Sequence, residues 1–162
     1  MLNTRLYGAR LESRFVALLF GVYDAGSRRL TFANAGSPYP LLVRNGNVQQ
    51  LRLEGVPLGL FPEMTYEESS VELQSGDTLL LASDGILESE NLNQEEFGIE
   101  RLTAVLQRIT PEHSAADVAN LVLDATDEFS GRGHAPHDDR TLLVLRVTDH
   151  SSTDFSKLPI IY

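Results

Sequence analysis

The segment TLLLASDG at residues 78–85 decides the fold of this chain of 162 residues. Its apolar positions are consecutive rather than alternating, which is typical of a short strand that is buried on both faces. The apolar run stops at Asp84-Gly85, so a carboxylate follows the strand where the chain leaves the core. Glycine after Asp84 is expected to let the backbone turn without a Cβ clash. Because strand ends are held rigidly and the residues beyond them face solvent, they are good platforms for metal ligands or acid–base groups.

A second segment, HDDRTLLVLRV at residues 137–147, has the same two parts in reverse order, with the carboxylates before the apolar run. Asp138 and Asp139 precede an apolar run that predicts a final buried strand. Two adjacent aspartates repel each other, and a bound cation would offset that cost. Plain alternatives stay open at this stage: Asp84 as the N-cap of a short helix starting near Ile86, and the aspartate pair as a solvated loop.

The rest of the chain is typical of an α+β domain. Strands are expected at residues 15–23, 30–36, 41–44, 48–51 and 66–73, and helices at residues 1–12, at 97–106 and from Ser114 (or Thr110-Pro111) to Gly131. Asn45-Gly46 between two of these strands is a strong hairpin signal. Since hairpin-linked strands are followed by grouped helices and no βαβ alternation occurs, we expect antiparallel sheets rather than a doubly wound parallel sheet.

Composition and charge exclude several classes of function. The absence of cysteine removes thiol catalysis, thiolate zinc sites and iron–sulfur clusters. The net charge is −10 and the 13 basic residues are scattered, so we expect no nucleic-acid partner. No apolar run approaches the length of about 18 residues that indicates a membrane-spanning helix. The first residues do not resemble a signal peptide either, and a cytoplasmic location is expected.

The candidate ligands are carboxylate or carbonyl oxygens, which suit Mg²⁺ or Mn²⁺. The four histidines show no zinc-binding spacing such as HExxH. His134 and His137 flank the aspartate pair, so they are candidates for a general acid or else plain surface residues.

Further markers occur in one order along nearly the whole chain, from Leu2 to Val147. They are Arg14-Phe15-Val16, LTFANAG at residues 30–36, Gly55 with Pro57-Leu58-Gly59, Gly76-Asp77, Ser83-Asp84-Gly85 with Glu88, Phe97-Gly98, and Asp138-Asp139-Arg140-Thr141. Each marker is weak alone, and the ordered set is specific. In these residues the chain resembles the PPM metal-dependent protein phosphatases, in their bacterial SpoIIE/RsbU branch.

This resemblance implies a mainly antiparallel β-sandwich flanked by helices. It also implies removal of phosphate from phosphoserine or phosphothreonine by water activated at a two-metal centre of Mn²⁺ or Mg²⁺. Asp84 and Asp138 match positions that coordinate metal in the family, and Asp139 and Gly85 are weaker candidates. Substrates of the branch are often phosphorylated anti-anti-sigma proteins of the STAS type.

One part of the family's pattern is missing. The Gly-Asp-Val-x-Gly-His-Gly motif, whose aspartate bridges both metals in the family, does not occur. Residues 1–148 are therefore expected to form an N-terminally incomplete phosphatase domain, followed by a tail at residues 149–162. We expect little activity from the chain alone. It is either a fragment of a phosphatase, with a sensor domain upstream in the parent protein, or a short non-catalytic regulator that binds partners.

Missing strands would also leave an unpaired sheet edge. We expect that edge at the strands of Leu18, Phe20 and Leu80, where it would favour aggregation or a homodimer. A smaller departure is Ser37, where the branch commonly has histidine.

Overall fold

Two antiparallel sheets form the centre of the fold, which a computed structural model describes over residues 2–9, 15–131 and 138–148. The strands are β1 (Leu18–Asp24), β2 (Arg29–Ala35), β3 (Leu41–Arg44), β4 (Asn47–Gln50), β5 (Ser69–Glu72), β6 (Thr78–Ala82) and β7 (Leu142–Arg146). Sheet 1 has the order β1-β2-β5, and sheet 2 has the order β4-β3-β6-β7. Every strand pair is antiparallel, which confirms the prediction from the hairpin signals.

Four helices complete the described part of the chain. They are α1 (Leu2–Gly8), α2 (Asp84–Leu87), α3 (Gly98–Leu106) and α4 (Ala115–Ser130). One apolar core lies between the two sheets and includes Phe32, Leu42 and Leu79. A second core packs α3 and α4 on the outer face of sheet 2, with Leu80 and Val122 at its centre. The domain is therefore an α+β sandwich with its longest helices on one side.

The central strand β6 explains the uninterrupted apolar run. It pairs with β3 on one side and with β7 on the other. Leu79 faces the core between the sheets, and Leu80, which is 0% exposed, faces the helices. Because both faces are covered, alternate positions need no polar residue. The strand of Leu80 thus has neighbours on both sides, so the expected sheet edge at that residue was wrong.

Local signals set the hairpin and the longest helix. Asn45 and Gly46 both have positive φ, 51° and 75°, as a two-residue turn between β3 and β4 requires. At the start of α4, Ser114 accepts the backbone N–H of Asp117, whose side chain accepts the backbone N–H of Ser114 in return. This capping box satisfies two donors of the first turn. The helix ends at Gly131, as predicted.

Sheet 1 lacks a comparable cover among the described residues. Phe20 and Val22 lie on the outer face of β1 and are 63% and 57% exposed. Strand β1 is also the end strand of its sheet, so its second edge is unpaired in the described chain. The predicted exposed edge at Phe20 is therefore confirmed.

Two strands have other boundaries than predicted, and a third differs in its burial. Strand β1 begins at Leu18, and the preceding Val16 forms only an isolated bridge with Leu58. The strand expected at 66–73 is shorter, because only the four residues of β5 pair with β2. Strand β7 is not fully buried, since it is an edge strand and Leu143 is 54% exposed. The predicted tail at 149–162 lies outside the described residues, and no helix in the described ranges is long and apolar enough to cross a membrane.

Candidate active site

The two aspartate-bearing strand ends meet, although they lie far apart in the sequence. The regular pairing of β6 with β7 ends at Ala82 opposite Leu142. Beyond it, the backbone N–H of Ser83 donates to the carbonyl oxygen of Thr141 at 2.9 Å. The sheet therefore delivers the residues after β6 and the residues before β7 to one place.

Gly85 is the point of closest approach. A Cβ atom built on Gly85 would lie 2.4 Å from the carbonyl oxygen of Asp139 and 3.4 Å from that of Asp138. The backbone of Gly85 does not adopt a positive φ, so what requires glycine is space rather than the freedom to turn. The sequence had suggested turning freedom, and the structure replaces that explanation with backbone contact.

Asp84 is the first residue of the short helix α2, and Ser83 occupies the N-cap position. The alternative interpretation of Asp84 as an N-cap was therefore wrong. Asp84 is exposed, and its Oδ1 accepts the backbone N–H of Gly85 at 3.0 Å. The Oδ1 of Asp138 likewise accepts the backbone N–H of Asp139 at 2.7 Å. Since an ionised carboxylate offers about four acceptor positions, one such bond leaves capacity for a cation.

A cavity of about 250 Å³ lies beside this junction. Its lining residues are Gly85, Glu88, Ser89, Glu90, Glu96 and Asp138. Glu90 and Glu96 reach it because the connection between α2 and α3 folds back on itself, with the N–H of Phe97 donating to the carbonyl of Ser89 at 2.8 Å. Four carboxylates around one cavity produce a negative field that attracts cations.

The donors fit a hard cation in type. Carboxylate oxygens are the ligands that Mn²⁺ and Mg²⁺ prefer, and Mg²⁺ often uses only one or two carboxylates together with water and substrate phosphates. Asp84 and Asp138 would be those two protein ligands. Within residues 2–9, 15–131 and 138–148, no three histidine, aspartate or glutamate side chains are grouped closely enough to form a metal cage on their own.

The predicted site residues are thus placed as follows. Gly85 and Asp138 line the cavity, Asp84 stands at the start of α2 beside it, and the Asp139 carbonyl lies against Gly85. Their roles as metal ligands stay predictions. His134 and His137, the candidates for a general acid, lie outside the described residues.

Two features of the site were not predicted. One is the pair Glu90 and Glu96, which line the cavity. The sequence could have indicated them by composition, because four of the nine residues from 88 to 96 are acidic. The other is Ser83, whose hydroxyl bonds to the far strand. Nothing local in the sequence indicates that contact, because its partner lies 58 residues away.

Two packed antiparallel sheets with helices over one of them are the fold that this chain shares with PPM-type phosphatase domains of known structure. The chain belongs to the SpoIIE family, since the family model described as Stage II sporulation protein E (SpoIIE) matches residues 1–148. The prediction of that family and of its fold is confirmed.

Individual relatives agree with this assignment. Phosphoserine phosphatase RsbU of Bacillus subtilis is 27% identical over 137 residues, which are 83% of this chain and 39% of that protein. The SiaA-PP2C domain of Pseudomonas aeruginosa has a TM-score of 0.74 at 23% identity, with 88% of this chain and 56% of that chain covered. The phosphatase domain of SpoIIE from Bacillus subtilis, described as Mn presoaked, has a TM-score of 0.65 at 20% identity, with 85% and 59% covered.

The chain is shorter than the proteins that it matches. It spans between 18% and 39% of the length of the matched curated relatives. Through this family the chain is related to PPM serine/threonine phosphatases, a class of hydrolases, and the structural likeness at this identity concerns the fold.

Proposed function

We propose that this chain is part of a cytoplasmic domain that removes phosphate from phosphoserine or phosphothreonine of a regulatory protein with the help of Mn²⁺ or Mg²⁺. One observation carries the proposal. Two strand ends with Asp84 and Asp138 meet over Gly85 beside an acidic cavity, in a chain of the SpoIIE family.

The residues of the chain have defined tasks in this proposal. Asp84 and Asp138 hold the cation from the ends of two strands, so the sheet fixes their separation. Glu88, Glu90 and Glu96 maintain a negative field that concentrates divalent cations and repels a phosphoprotein until the cation is bound. A bound divalent cation would neutralise the phosphate charge and lower the pKa of water, so that hydroxide would be available as the nucleophile at neutral pH.

The substrate that we propose is a phosphorylated anti-anti-sigma protein of the STAS type. Support comes from the resemblance to the SpoIIE/RsbU branch and from the name of the relative RsbU, a phosphoserine phosphatase. A protein substrate fits an open site at strand ends, because the phosphoserine side chain can enter while its backbone stays outside.

The chain alone is proposed to have little activity. Two carboxylates supply fewer ligands than a two-metal centre needs, and no third acidic or histidine ligand is grouped with them in the described ranges. In a longer parent protein, further segments of the phosphatase domain would supply the remaining ligands, and a sensor domain upstream is part of the same proposal. The second candidate function is a non-catalytic regulator that binds partners with the same surface.

Self-association is proposed for the uncovered side of the sandwich. Strand β1 presents an unpaired edge and two exposed apolar side chains, Phe20 and Val22, in the described structure. Edge strands of this kind pair readily with another chain. A homodimer would cover that edge.

The test of the site uses Mn²⁺ as a paramagnetic probe in NMR spectra of the chain of 162 residues. We expect Mn²⁺ to broaden the amide signals of Gly85 and Asp139, and we expect Asp84→Asn or Asp138→Asn to abolish the broadening. The matched control is Asp24→Asn, because Asp24 at the end of β1 in sheet 1 is an exposed carboxylate that accepts the backbone N–H of Ser27 in the following turn. A phosphoserine peptide should tighten Mn²⁺ binding, and the same peptide with serine should not.

The outcomes separate the alternatives. Broadening that survives both site variants would overturn the assignment of the ligands. An Mn²⁺ affinity that does not change when the phosphoserine peptide is added would favour the non-catalytic regulator. Robust Mn²⁺-dependent turnover of a phosphoserine protein by the chain alone, abolished by Asp84→Ala, would establish the phosphatase activity and contradict the proposed incompleteness.

A further inference from the structure

Ser83 does not perform the task that its position predicts. It is the N-cap residue of α2, where a serine hydroxyl ordinarily accepts a backbone N–H from the first turn of the helix. Its side chain makes no such capping bond. The hydroxyl is used elsewhere, so the reason for a serine at this position lies outside the helix.

The hydroxyl of Ser83 bridges two groups of the segment that leads into β7. Its Oγ accepts the backbone N–H of Thr141 at 2.9 Å and donates to the carbonyl oxygen of Asp139 at 3.2 Å. Together with the bond from its own N–H to the Thr141 carbonyl, Ser83 makes three hydrogen bonds to this short segment. The side chain extends the pairing of β6 with β7 beyond its last regular pair.

These bonds hold the Asp139 carbonyl against Gly85. The contact is close enough to exclude a Cβ atom. Gly85 therefore resists a closer approach of the segment, and the hydrogen bond to Ser83 resists its separation. A second anchor lies one residue further on, where Arg140 forms an ion pair with Asp127 of α4 at 2.7 Å.

Fixing the backbone at residue 139 decides which of the two aspartates faces the cavity. The chain bends at Asp138, so a displacement of this segment would change which of the two neighbouring carboxylates is presented to the cavity. In the structure, Asp138 lines the cavity. Asp139 is not among the residues that line it, and its carbonyl oxygen accepts the hydroxyl of Ser83.

We propose that Ser83 is a positioning residue that selects Asp138 over Asp139 as the metal-facing carboxylate. The inference rests on the proposed function, because it concerns the same cation site. Groups that orient the ligands of a metal typically change its affinity by about 10- to 100-fold when they are removed.

The experiment measures the Mn²⁺ dissociation constant of the chain by titration, with the broadening of the Gly85 amide as the readout. We expect Ser83→Ala to weaken binding by roughly 10-fold and Ser83→Thr, which keeps a hydroxyl, to restore it. Ser70→Ala is the control, because it also removes a serine hydroxyl that is hydrogen-bonded to a neighbouring strand, here to Thr31 on the exposed face of sheet 1. Well-dispersed amide spectra check that every variant is folded.

A double-mutant cycle tests the selection itself. With Ser83 present, Asp138→Asn should weaken Mn²⁺ binding far more than Asp139→Asn. With Ser83→Ala, the two substitutions should have similar effects, because either aspartate can then face the cavity. This readout distinguishes positioning from a general loss of stability, which would leave the difference between the aspartates intact.

Each result has one meaning. Wild-type protein that binds Mn²⁺ at Gly85, with Ser83→Ala binding it equally well, overturns this inference and leaves the proposed function standing. A Ser83→Ala variant that keeps the full preference for Asp138 also overturns it. Wild-type protein without Mn²⁺ broadening at Gly85 overturns the proposed site, and the role of Ser83 falls with it.

Discussion

The two sheets of the sandwich differ in what lies on their outer faces. Sheet 2 is covered by α3 and α4, and its central strand carries Leu80 at 0% exposure. Sheet 1 shares the inner core but presents Phe20, at 63% exposure, on its outer face. The same kind of apolar strand therefore has two different environments. The candidate site lies at the end of the covered sheet, where packing on both faces limits movement of the strand ends.

This difference shows which sheet can hold a site rigidly. The candidate site needs such a sheet, because it tolerates only small shifts of its backbone. Interiors are close-packed, so a strand held on both faces resists shifts that an uncovered strand tolerates. The junction at Gly85 requires such resistance, because the Asp139 carbonyl leaves no room for a methyl group there.

The largest expected effect comes from truncating the covered strand. Leu80→Ala should lower the free energy of unfolding by about 2–5 kcal/mol, because it creates a cavity in a core that cannot collapse easily. Phe20→Ala, a larger truncation on the uncovered sheet, should change it by only about 0.5 kcal/mol or less. Urea denaturation followed by circular dichroism measures both. Equal losses for the two variants would mean that sheet 1 is covered in solution.

A medium effect is expected from loosening the helix that covers sheet 2. Ser114→Ala removes the N-cap of α4 and should cost about 1 kcal/mol at neutral pH. The hydroxyl and the backbone N–H of Ser114 both donate to Asp117 and hold the pKa of its carboxyl below the ordinary value of 3.8. A carboxyl with a lowered pKa stabilises the folded state above 3.8, and this contribution is lost as the pH falls through the folded-state pKa.

The stability difference between wild type and Ser114→Ala should therefore be constant near neutral pH and should shrink at pH values below 3.8. Urea midpoints of both proteins across this range measure it. A difference that grows on acidification would show that the capping box does not contribute through the ionised form of Asp117.

The smallest effect on stability is expected on the uncovered strand itself. Val22→Lys places a charge on the unpaired edge strand β1 and should leave the free energy of unfolding within about 0.5 kcal/mol. It should nevertheless abolish self-association. Gln49→Lys on the end strand β4 of sheet 2 adds the same charge and is the control. Sedimentation at several concentrations measures the self-association of each variant. If both variants weaken it equally, the cause is the change in net charge rather than the edge of β1.

Features with local causes could be predicted from the sequence. The Asn45-Gly46 turn and the termination of α4 at Gly131 depend on residues close together in the chain. The burial of β6 on both faces could be predicted because its run of consecutive apolar residues is local, although the covering elements are distant. The ordered motifs were sufficient for the family. Asp84 and Asp138 were singled out because each lies beside an apolar strand, and the structure brings the two strand ends together.

The rest depends on contacts between distant segments. The need for glycine at position 85 comes from a carbonyl group on another strand, so the local pattern suggested a turn instead. The bonds of Ser83 also reach across the sheet, and its position before a short helix predicts a cap that is not formed. The reduced length of β5 reflects how much of β2 is available for pairing, which residues 66–73 alone do not reveal.

The bond between Ser83 and Thr141 also has a consequence for how the domain folds. It joins residues 58 positions apart, and α2, α3 and α4 lie between them. Closing a long loop costs chain entropy before the contact is gained, so such pairings form late. On a ribosome, Asp84 emerges well before Thr141, and the acidic residues of the cavity are exposed without their partner strand during that interval. Completion of the site requires β7 to dock, so cation binding at the proposed site would serve as a marker for that docking.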